Sequence, residues 1–202
     1  MKSGAAFALA LLLCGLARAE NALVKGGKSP DGRFELRIYQ SPEREPSDYY
    51  YALVDASTGK PIKELPTRGG FSKYSAAAET TSALWHSSSK FFAITDRGTR
   101  HSRELYVYEV QASGIEELEL PHFFQNALGR VNATQGYAVS VVKPLRWEDK
   151  DLICSLAFDA TVPNGGRSPQ YTTEFTLRLY CEANQRSYLQ LVSMNKPEPH
   201  EG

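Results

Sequence analysis

The chain has 202 residues, 42% of them hydrophobic, and its 23 basic and 23 acidic residues leave no net charge. This length fits one domain of ordinary size that can bury a real core. The balanced charge argues against a nucleic-acid or anionic-membrane partner, because proteins that bind those partners carry a clustered basic surface.

Residues 1–19 have the layout of a secretory signal peptide. Lys2 supplies the positive start, an apolar run follows, and Ala17-Arg18-Ala19 is a small-x-small cleavage site before Glu20. The run is shorter than the roughly 20 apolar residues that cross a bilayer. A lipoprotein signal ending at Cys14 is the alternative, but a leucine precedes that cysteine where a small residue is needed. The sequence therefore predicts a periplasmic or secreted protein that is not inserted in a membrane after cleavage.

The mature chain opens with short β-type runs separated by turn residues. The segment from Phe34 to Tyr39 alternates apolar and polar residues, as a half-buried strand does, after the turn Ser29-Pro30-Asp31-Gly32-Arg33. Further strands are expected at 49–54 and 62–65, on either side of a turn at 57–60. These runs predict an antiparallel meander.

The stretch from Leu84 to Pro121 follows the same plan. A polar turn at 86–90 leads into a buried-type strand at 91–95, and a charged loop then leads to a second strand at 105–110. A third short strand is expected at 118–120, after a glycine-containing turn. This stretch predicts a second meander.

The two stretches also match residue by residue. The segment from Tyr51 to Pro66 lies against Tyr106 to Pro121 at an offset of 55. Upstream, Phe34 to Leu36 lies against Phe91 to Ala93 at an offset of 57. Self-similar units of this length are typical of repeat architectures.

A weaker third copy begins at Trp147, with one residue fewer in its turn, and continues through strands at 175–181 and 188–192. Before it, residues 123–128 are expected to form a helical turn. The β-type run at 137–142 is expected to break at Pro144.

We therefore predict a mainly β fold, built of antiparallel meanders in three repeated units. These units make a single domain over residues 20–194. The tail at 195–202 has two prolines and no apolar residue, and is predicted to be disordered.

The turns at 29–33 and 85–90 carry a family resemblance. Ser-Pro-Asp-Gly-Arg and Trp-His-Ser-Ser-Ser-Lys resemble the turns of β-propeller blades of the TolB or WD40-like type. Only three units fit, whereas closed propellers typically use four to eight blades. The resemblance thus implies an incomplete or open propeller-like array, with a distorted β-sandwich as the alternative. It also implies a binding scaffold that presents loops to partners, and it transfers no catalytic residue.

Two cysteines remain once the leader is removed, Cys154 and Cys181. Each lies on the apolar face of a predicted strand, and two strands of one hairpin can place them opposite each other. A bridge over this separation would contribute about 3–4 kcal/mol in a compartment that permits disulfides. The sequence predicts a structural Cys154–Cys181 disulfide, with two buried free thiols as the alternative.

The sequence contains no Gly-x-Ser-x-Gly elbow, His-Glu-x-x-His motif, P-loop or dinucleotide-binding fingerprint. We therefore predict no cofactor and no metal. The acidic turn at 148–151 offers oxygen ligands for calcium, but it lacks the required spacing and includes Lys150, which favours a solvated turn. Asp96 and His101, on one charged loop, are the first suspects for a general acid–base pair.

Two groups of residues are candidates for binding. Tyr49 and Tyr51 share one face of a strand, and they either present phenols to a partner or pack across the meander. The charged loop supplies the second group, which consists of Arg97, Arg100, His101 and Arg103. The sequence thus favours an exported non-catalytic module that contacts a protein or glycan through its loops. A secreted hydrolase with a site assembled from separate loops, or a structural envelope protein, are the alternatives.

Overall fold

The structure, a computed structural model, describes residues 21–40, 49–65, 77, 79–96, 102–112, 114–131, 135–161, 170–181 and 186–200, without the side chains of 135–139, 161 and 200. The predicted signal peptide and its cleavage site lie outside these residues and stay a prediction. Strands dominate the described chain, which confirms the predicted mainly β fold. Within the described residues, no helix combines the length and apolarity that crossing a bilayer requires.

The first eight strands form one continuous sheet. They are β1 (Asn21–Lys28), β2 (Phe34–Gln40), β3 (Tyr49–Asp55), β4 (Pro61–Leu65), β5 (Ser82–Trp85), β6 (Phe91–Asp96), β7 (Glu104–Gln111) and β8 (Gly114–Leu118). Their spatial order is β4-β3-β2-β1-β5-β6-β7-β8, so two four-stranded meanders adjoin through their first strands. The pairs within each meander are antiparallel, whereas β1 and β5 pair in parallel, with Lys25 beside Ser82.

The sheet curls until its two outer strands approach each other. Lys63 of β4 donates from Nζ to the carbonyl oxygen of Ile115 in β8, at 2.9 Å. The concave side encloses an apolar core from both meanders, which includes Val24, Leu36, Ile38, Leu53, Phe92, Ile94 and Tyr108. The two meanders are therefore halves of a nearly closed, barrel-like sheet.

The first two meanders begin with the same backbone hydrogen bond. The N–H of Ser29 donates to the carbonyl of Phe34 at 3.0 Å, and the N–H of His86 donates to the carbonyl of Phe91 at 2.9 Å. Equivalent groups are thus 57 residues apart, which is the offset that the sequence match gives for this strand.

The next strand pair differs from the sequence match by one residue. The N–H of Ala56 donates to the carbonyl of Arg33 at 2.9 Å, and the N–H of Val110 donates to the carbonyl of Lys90 at 2.7 Å. These groups are equivalent at an offset of 54 in the third strand, not at the predicted 55. A slip of one residue exchanges the two faces of a strand. Residues that the sequence match pairs here, such as Tyr51 with Tyr106, are therefore not equivalent within their meanders, although both lie in the barrel core.

Equivalent residues of the two meanders face opposite sides of the joint sheet. Leu36 of β2 lies in the barrel core, whereas Ala93, its equivalent in β6, packs against the second sheet. Parallel pairing of β1 with β5 requires this, because a half-turn about the strand direction relates the two meanders and turns the sheet over. Phe92 and Ile94 then complete the barrel core from the other face of β6, so β6 is buried on both faces.

Two glycines of β1 allow the junction to form. Gly26 has a φ of +71°, and a Cβ there would lie 2.3 Å from the carbonyl oxygen of Ala83 in β5. A Cβ on Gly27 would lie 2.7 Å from the carbonyl oxygen of Leu36 in β2. Both lie where β1 is irregular, between Leu23 and Lys28 of its ladder with β2. A residue without a side chain is needed for this approach.

The turns of the three predicted units are linked to one another. The N–H of Asp31 donates to Ser89 Oγ at 3.0 Å, which joins the first turn to the second. His86 donates from Nε2 to the carbonyl of Asp149 at 2.6 Å, which joins the second turn to the third. Both Ser89 and Asp149 have a positive φ, as turns of this tightness require. These turns therefore meet at one end of the molecule.

The remaining strands form a second sheet. They are β9 (Gln135–Glu148), β10 (Asp151–Thr161), β11 (Gln170–Tyr180), β12 (Tyr188–Met194) and β13 (Glu198–His200). The order is β12-β11-β10-β9, all antiparallel, with β13 also pairing β11. Leu152, Leu156 and Phe175 of this sheet pack against Phe91 and Val107 of the first, so a second apolar core lies between the sheets.

The helix α1 (Phe123–Arg130) follows the first sheet and precedes the second in the sequence, and it confirms the predicted helical turn.

The predicted break at Pro144 is wrong, because β9 runs on to Glu148. Pro144 faces Cys154 where the register with β10 shifts. As β9 is an outer strand, the N–H that proline lacks is not needed there.

The prediction of a disordered tail at 195–202 is corrected for residues 195–200, the part of it that the structure describes. Residues Glu198–His200 form β13 along β11, and the N–H of Asn195 donates to the carbonyl of Glu174 at 2.9 Å. Thr173 Oγ1 donates to the carbonyl of Asn195 at 2.9 Å. The tail is held by backbone hydrogen bonds, which its proline-rich composition does not reveal. Prolines are tolerated because the tail runs along a sheet edge.

The structure corrects the predicted Cys154–Cys181 disulfide, since both cysteines are free thiols. Cys154 lies opposite Phe175, six residues before Cys181 in the chain. At about 3.3 Å per residue that separation is roughly 20 Å, far beyond the reach of a disulfide. The two cysteines lie in neighbouring strands as predicted, but the register keeps them apart.

We expect Gly26→Ala to destabilise the protein by about 2–5 kcal/mol, because the new Cβ adds an overlap with Ala83 to the cost of a positive φ. Gly59→Ala is the matched control, because Gly59 has a φ of +68° with no atom within 4 Å of its Cβ position. That variant should cost about 1 kcal/mol. Urea unfolding measures both, and equal losses would contradict the close approach of β1 to β5.

Iodoacetamide at mildly alkaline pH should label Cys181 and spare Cys154 in the native protein. Cys181 is exposed, whereas burial raises the pKa of the Cys154 thiol and keeps the reagent away from it. Peptide mapping reads out each site, and unfolding in guanidinium should then allow Cys154 to react. A cross-linked peptide pair in a non-reduced digest would show that the disulfide forms after all.

Candidate functional site

A cavity of about 690 Å³ opens between the first sheet, α1 and the second sheet. We call it the groove. Its apolar lining comes from the end of β8, from α1 and from β9 and β10, and includes Leu118, Leu120, Phe123, Phe124, Val142 and Leu156. Leu118, Val142 and Leu156 are buried, while Leu120 and the two phenylalanines are half-buried. The groove is therefore an indentation of the inter-sheet core.

The helix wall of the groove is anchored by two aromatic contacts. The ring of Phe123 stacks on Phe175 of β11 at 4.6 Å between centroids. The next residue, Phe124, meets Phe158 of β10 edge to face at 5.9 Å. Because these two neighbouring residues of the helix pack against two adjacent strands, both aromatic contacts hold α1 against the second sheet.

Charged side chains form the rim of the groove. Arg186 lies on one side, where its Nε is 2.5 Å from Glu116 Oε1 and its Nη2 donates to the carbonyl of Glu117 at 2.9 Å. Arg103 and Glu104 lie at the start of β7. The rim thus carries both signs of charge above an apolar floor.

Arg103 is the predicted binding residue that the structure places at the groove. Its N–H donates to the carbonyl of Ser140 at 2.8 Å, and its carbonyl accepts from the N–H of Val142 at 3.2 Å. This short parallel bridge ties the start of β7 to β9. The other predicted residues of the charged loop, Arg97, Arg100 and His101, lie outside the described residues.

Tyr49 and Tyr51 do not reach the surface. They are only 5% and 2% exposed, and both hydroxyls donate to Asp96 Oδ1 at 2.9 Å. Tyr51 also shares a hydrogen bond of 2.7 Å with Thr81 Oγ1. Burial, and then the charge of Asp96, raises the pKa of Tyr51. The two tyrosines pack inside the barrel, so the predicted partner-binding role of their phenols has no surface to act on.

The same hydrogen bonds fix the environment of Asp96, which the sequence suggested as one member of a general acid–base pair. The residue is 4% exposed, and its carboxylate accepts hydrogen bonds from two phenols. It lies opposite Glu104 in the pairing of β6 with β7. These contacts anchor Asp96 within the barrel core, where hydrogen bonding satisfies a buried carboxylate. Within the described residues, no group of three or more His, Cys, Asp or Glu side chains is placed to hold a metal ion.

The face of β3 that carries Tyr50 is the one turned away from the barrel. Tyr50 stacks on Tyr39 of β2 at 5.2 Å, and both rings are half-buried. Alternation along the strand separates Tyr50 from Tyr49 and Tyr51, but it does not say which side is the core. The sequence also carried no sign that Leu120 lines a cavity, since its pattern predicted only the end of a short strand at 118–120.

Comparison with family models, with curated proteins and with solved structures found no match for this chain.

We expect Tyr51→Phe to lower the free energy of unfolding by about 1–3 kcal/mol, because it removes a hydroxyl that bonds both Asp96 and Thr81 and leaves those buried groups short of a partner. Tyr50→Phe is the matched control on the opposite face of the same strand. That change should stay within about 0.5 kcal/mol, as surface substitutions usually do. Equal losses of unfolding free energy in urea would contradict a stabilising role for the hydrogen bonds of Tyr51 with Asp96 and Thr81.

Proposed function

We propose that the protein is an exported, non-catalytic binding module that holds an apolar segment of a protein partner in the groove. The observation that carries the proposal is the shape and lining of the groove, about 690 Å³ with an apolar floor and a charged rim. Binding sites in proteins are typically concave, mostly apolar and roughly 300–1,000 Å³ in volume.

The groove is already formed without a ligand. Its helix wall is fixed by the contacts of Phe123 and Phe124 with the second sheet. Its floor is continuous with the core through Leu118 and Leu156. A preformed site leaves little ordering to be done on association, which favours binding.

The lining favours a protein segment over a glycan. A sugar carries hydroxyl groups around its ring, and each of them needs a hydrogen-bond partner when it is buried. The floor of the groove offers leucine, valine and phenylalanine side chains instead. Apolar and aromatic side chains surrounded by a polar rim are the usual composition of a protein interface core.

Two expectations from the sequence are consistent with this proposal. A signal peptide would bring the protein to the periplasm or the exterior, where the partner would have to be found. The resemblance of the turns to propeller-like blades implies a scaffold that presents binding surfaces. No described contact favours the hydrolase alternative, because Asp96 is enclosed by Tyr49 and Tyr51.

A photo-cross-linker tests the groove directly. We expect benzoylphenylalanine at position 120 to trap one protein in stoichiometric yield from a native extract, because Leu120 lines the groove. The same residue at position 145 should not, since Leu145 is already 40% exposed and lies outside the groove lining. Leu120→Lys should abolish co-purification of the trapped protein, and Leu145→Lys should leave it intact.

Equal cross-linking from both positions would contradict the proposal, as would retention of the partner by Leu120→Lys or its loss from Leu145→Lys. Absence of any product at position 120 would also count against a protein ligand. Circular dichroism of the two lysine variants checks that each remains folded.

A further inference from the structure

Arg103 is a half-buried cation in the lining of the groove. Alternate residues of an extended chain share a face, so its side chain lies on the same side as that of Leu105, which packs between the two sheets. Within the described part of the chain, its guanidinium forms no ion pair and no side-chain hydrogen bond. The groove therefore contains a positive charge without a counter-ion.

The other arginines that the structure describes are either paired or exposed. An ion pair with aspartate or glutamate holds Arg33, Arg37, Arg146, Arg178 and Arg186. Arg130, at the end of α1, is exposed to solvent. Withdrawing a charge from water costs free energy unless an opposite charge compensates it. The position of Arg103 thus favours a ligand that brings an anion.

The glutamates around the groove do not supply that anion. Glu104 lies on the opposite side of β7 from the groove, where its carboxylate accepts from the hydroxyl of Tyr106 at 2.6 Å. Glu117 lies on the barrel side of β8 in the ladder with β7. Glu119 follows β8 and is exposed. Their charges are accordingly turned away from the space that the ligand would fill.

The groove is closed at Arg103. The backbone of this residue is joined to β9 by the hydrogen bonds with Ser140 and Val142, at 2.8 and 3.2 Å. The gap between the two sheets ends at this bridge, so an extended chain lying along the groove cannot continue past it. A segment that terminates here fits the groove better than one that passes through. Of the two ends of a chain, a cation selects the carboxylate.

We propose that the groove binds the C-terminal segment of a protein partner, with the apolar side chains of that segment on the floor and its terminal carboxylate on Arg103. The inference rests on the proposed function, because it specifies which part of the partner the groove holds. A guanidinium and a carboxylate can form two parallel charge-assisted hydrogen bonds, each roughly twice as strong as a neutral one. Partial exclusion of water strengthens the attraction between the two charges.

The test compares two pools of heptapeptides that carry fluorescein on the N-terminus, a spacer of glycine and serine, and valine, leucine, isoleucine or phenylalanine at the last three positions. The acid pool ends in a free carboxylate and the amide pool in a carboxamide. Fluorescence anisotropy measures their affinity for the purified protein. The acid pool should bind saturably, and the amide pool at least about tenfold more weakly, because a carboxamide carries no charge for Arg103.

The variant Arg103→Gln separates carboxylate binding from a structural role. It should weaken binding of the acid pool by about tenfold and leave the amide pool unchanged, because it removes a charge that only the acid pool meets. Equal weakening of both pools would overturn the assignment of Arg103. Arg130→Gln is the matched control, since Arg130 is exposed and lies outside the groove lining. That control should leave both affinities unchanged.

Two further ligands test the choice of a chain terminus. A third pool has one aspartate among its apolar positions and ends in a carboxamide, so its carboxylate belongs to a side chain. Binding of this pool as tightly as the acid pool would overturn the terminal carboxylate. Saturable binding of dodecanoate without binding of either original pool would overturn a protein ligand and assign the groove to an amphiphilic acid.

The variant Leu120→Gln, a neutral change in the lining of the groove, separates this inference from the proposed function. If the acid and amide pools bind equally and this variant abolishes both, the groove is supported and recognition of the terminus is overturned. If the acid pool binds through Arg103 while Leu120→Gln has no effect, the carboxylate contact is supported and the groove function fails. Absence of saturable binding by the acid pool overturns the inference, and the cross-link from position 120 then decides the proposed function alone.

Discussion

The parallel pairing of β1 with β5 determines how the rest of the molecule is arranged. Because it relates the two meanders by a half-turn about the strand direction, the face that carries Leu36 looks into the barrel, while the equivalent face with Ala93 looks outward. That outward face is apolar and needs a cover, which the second sheet and α1 provide. On the first meander, the outer face keeps half-buried ion pairs such as Arg37 with Glu35. The groove lies where the cover and the end of β8 diverge.

Local patterns predicted the strands and turns, because alternation and turn residues act within a few positions. The junction between the meanders was not predicted, since its signal is Gly26 and Gly27 in a stretch that reads as polar. Pairing between strands was harder still. Cys154 and Cys181 lie in adjacent strands as expected, yet the register that keeps them apart depends on the whole hairpin. The alternation of side chains along a strand placed Tyr50 on the face opposite to Tyr49 and Tyr51. Only tertiary packing decides which of the two faces lies in the barrel core.

The candidate site was predictable only at its edge. Arg103 was selected because it belongs to a charged segment of the sequence, and its side chain lines the groove. The floor was not found, because it combines side chains from the end of β8, from α1 and from the second sheet. Arg186 donates a hydrogen bond to the carbonyl of Glu117, although 69 residues separate the two in the sequence. Contacts over such a distance leave no periodic signal in either segment, so only the structure brings them together.

The junction of β1 with β5 also has a consequence for how the chain reaches this structure. Each hairpin closes over a short connection, whereas Lys25 and Ser82 pair although 57 residues separate them. Loop closure costs more entropy as the loop lengthens, and folding slows as non-local pairings dominate. Two locally formed meanders must therefore dock before the barrel core is enclosed. Until they do, Phe92 and Ile94 of one half and Leu36 of the other remain exposed to solvent and to other chains.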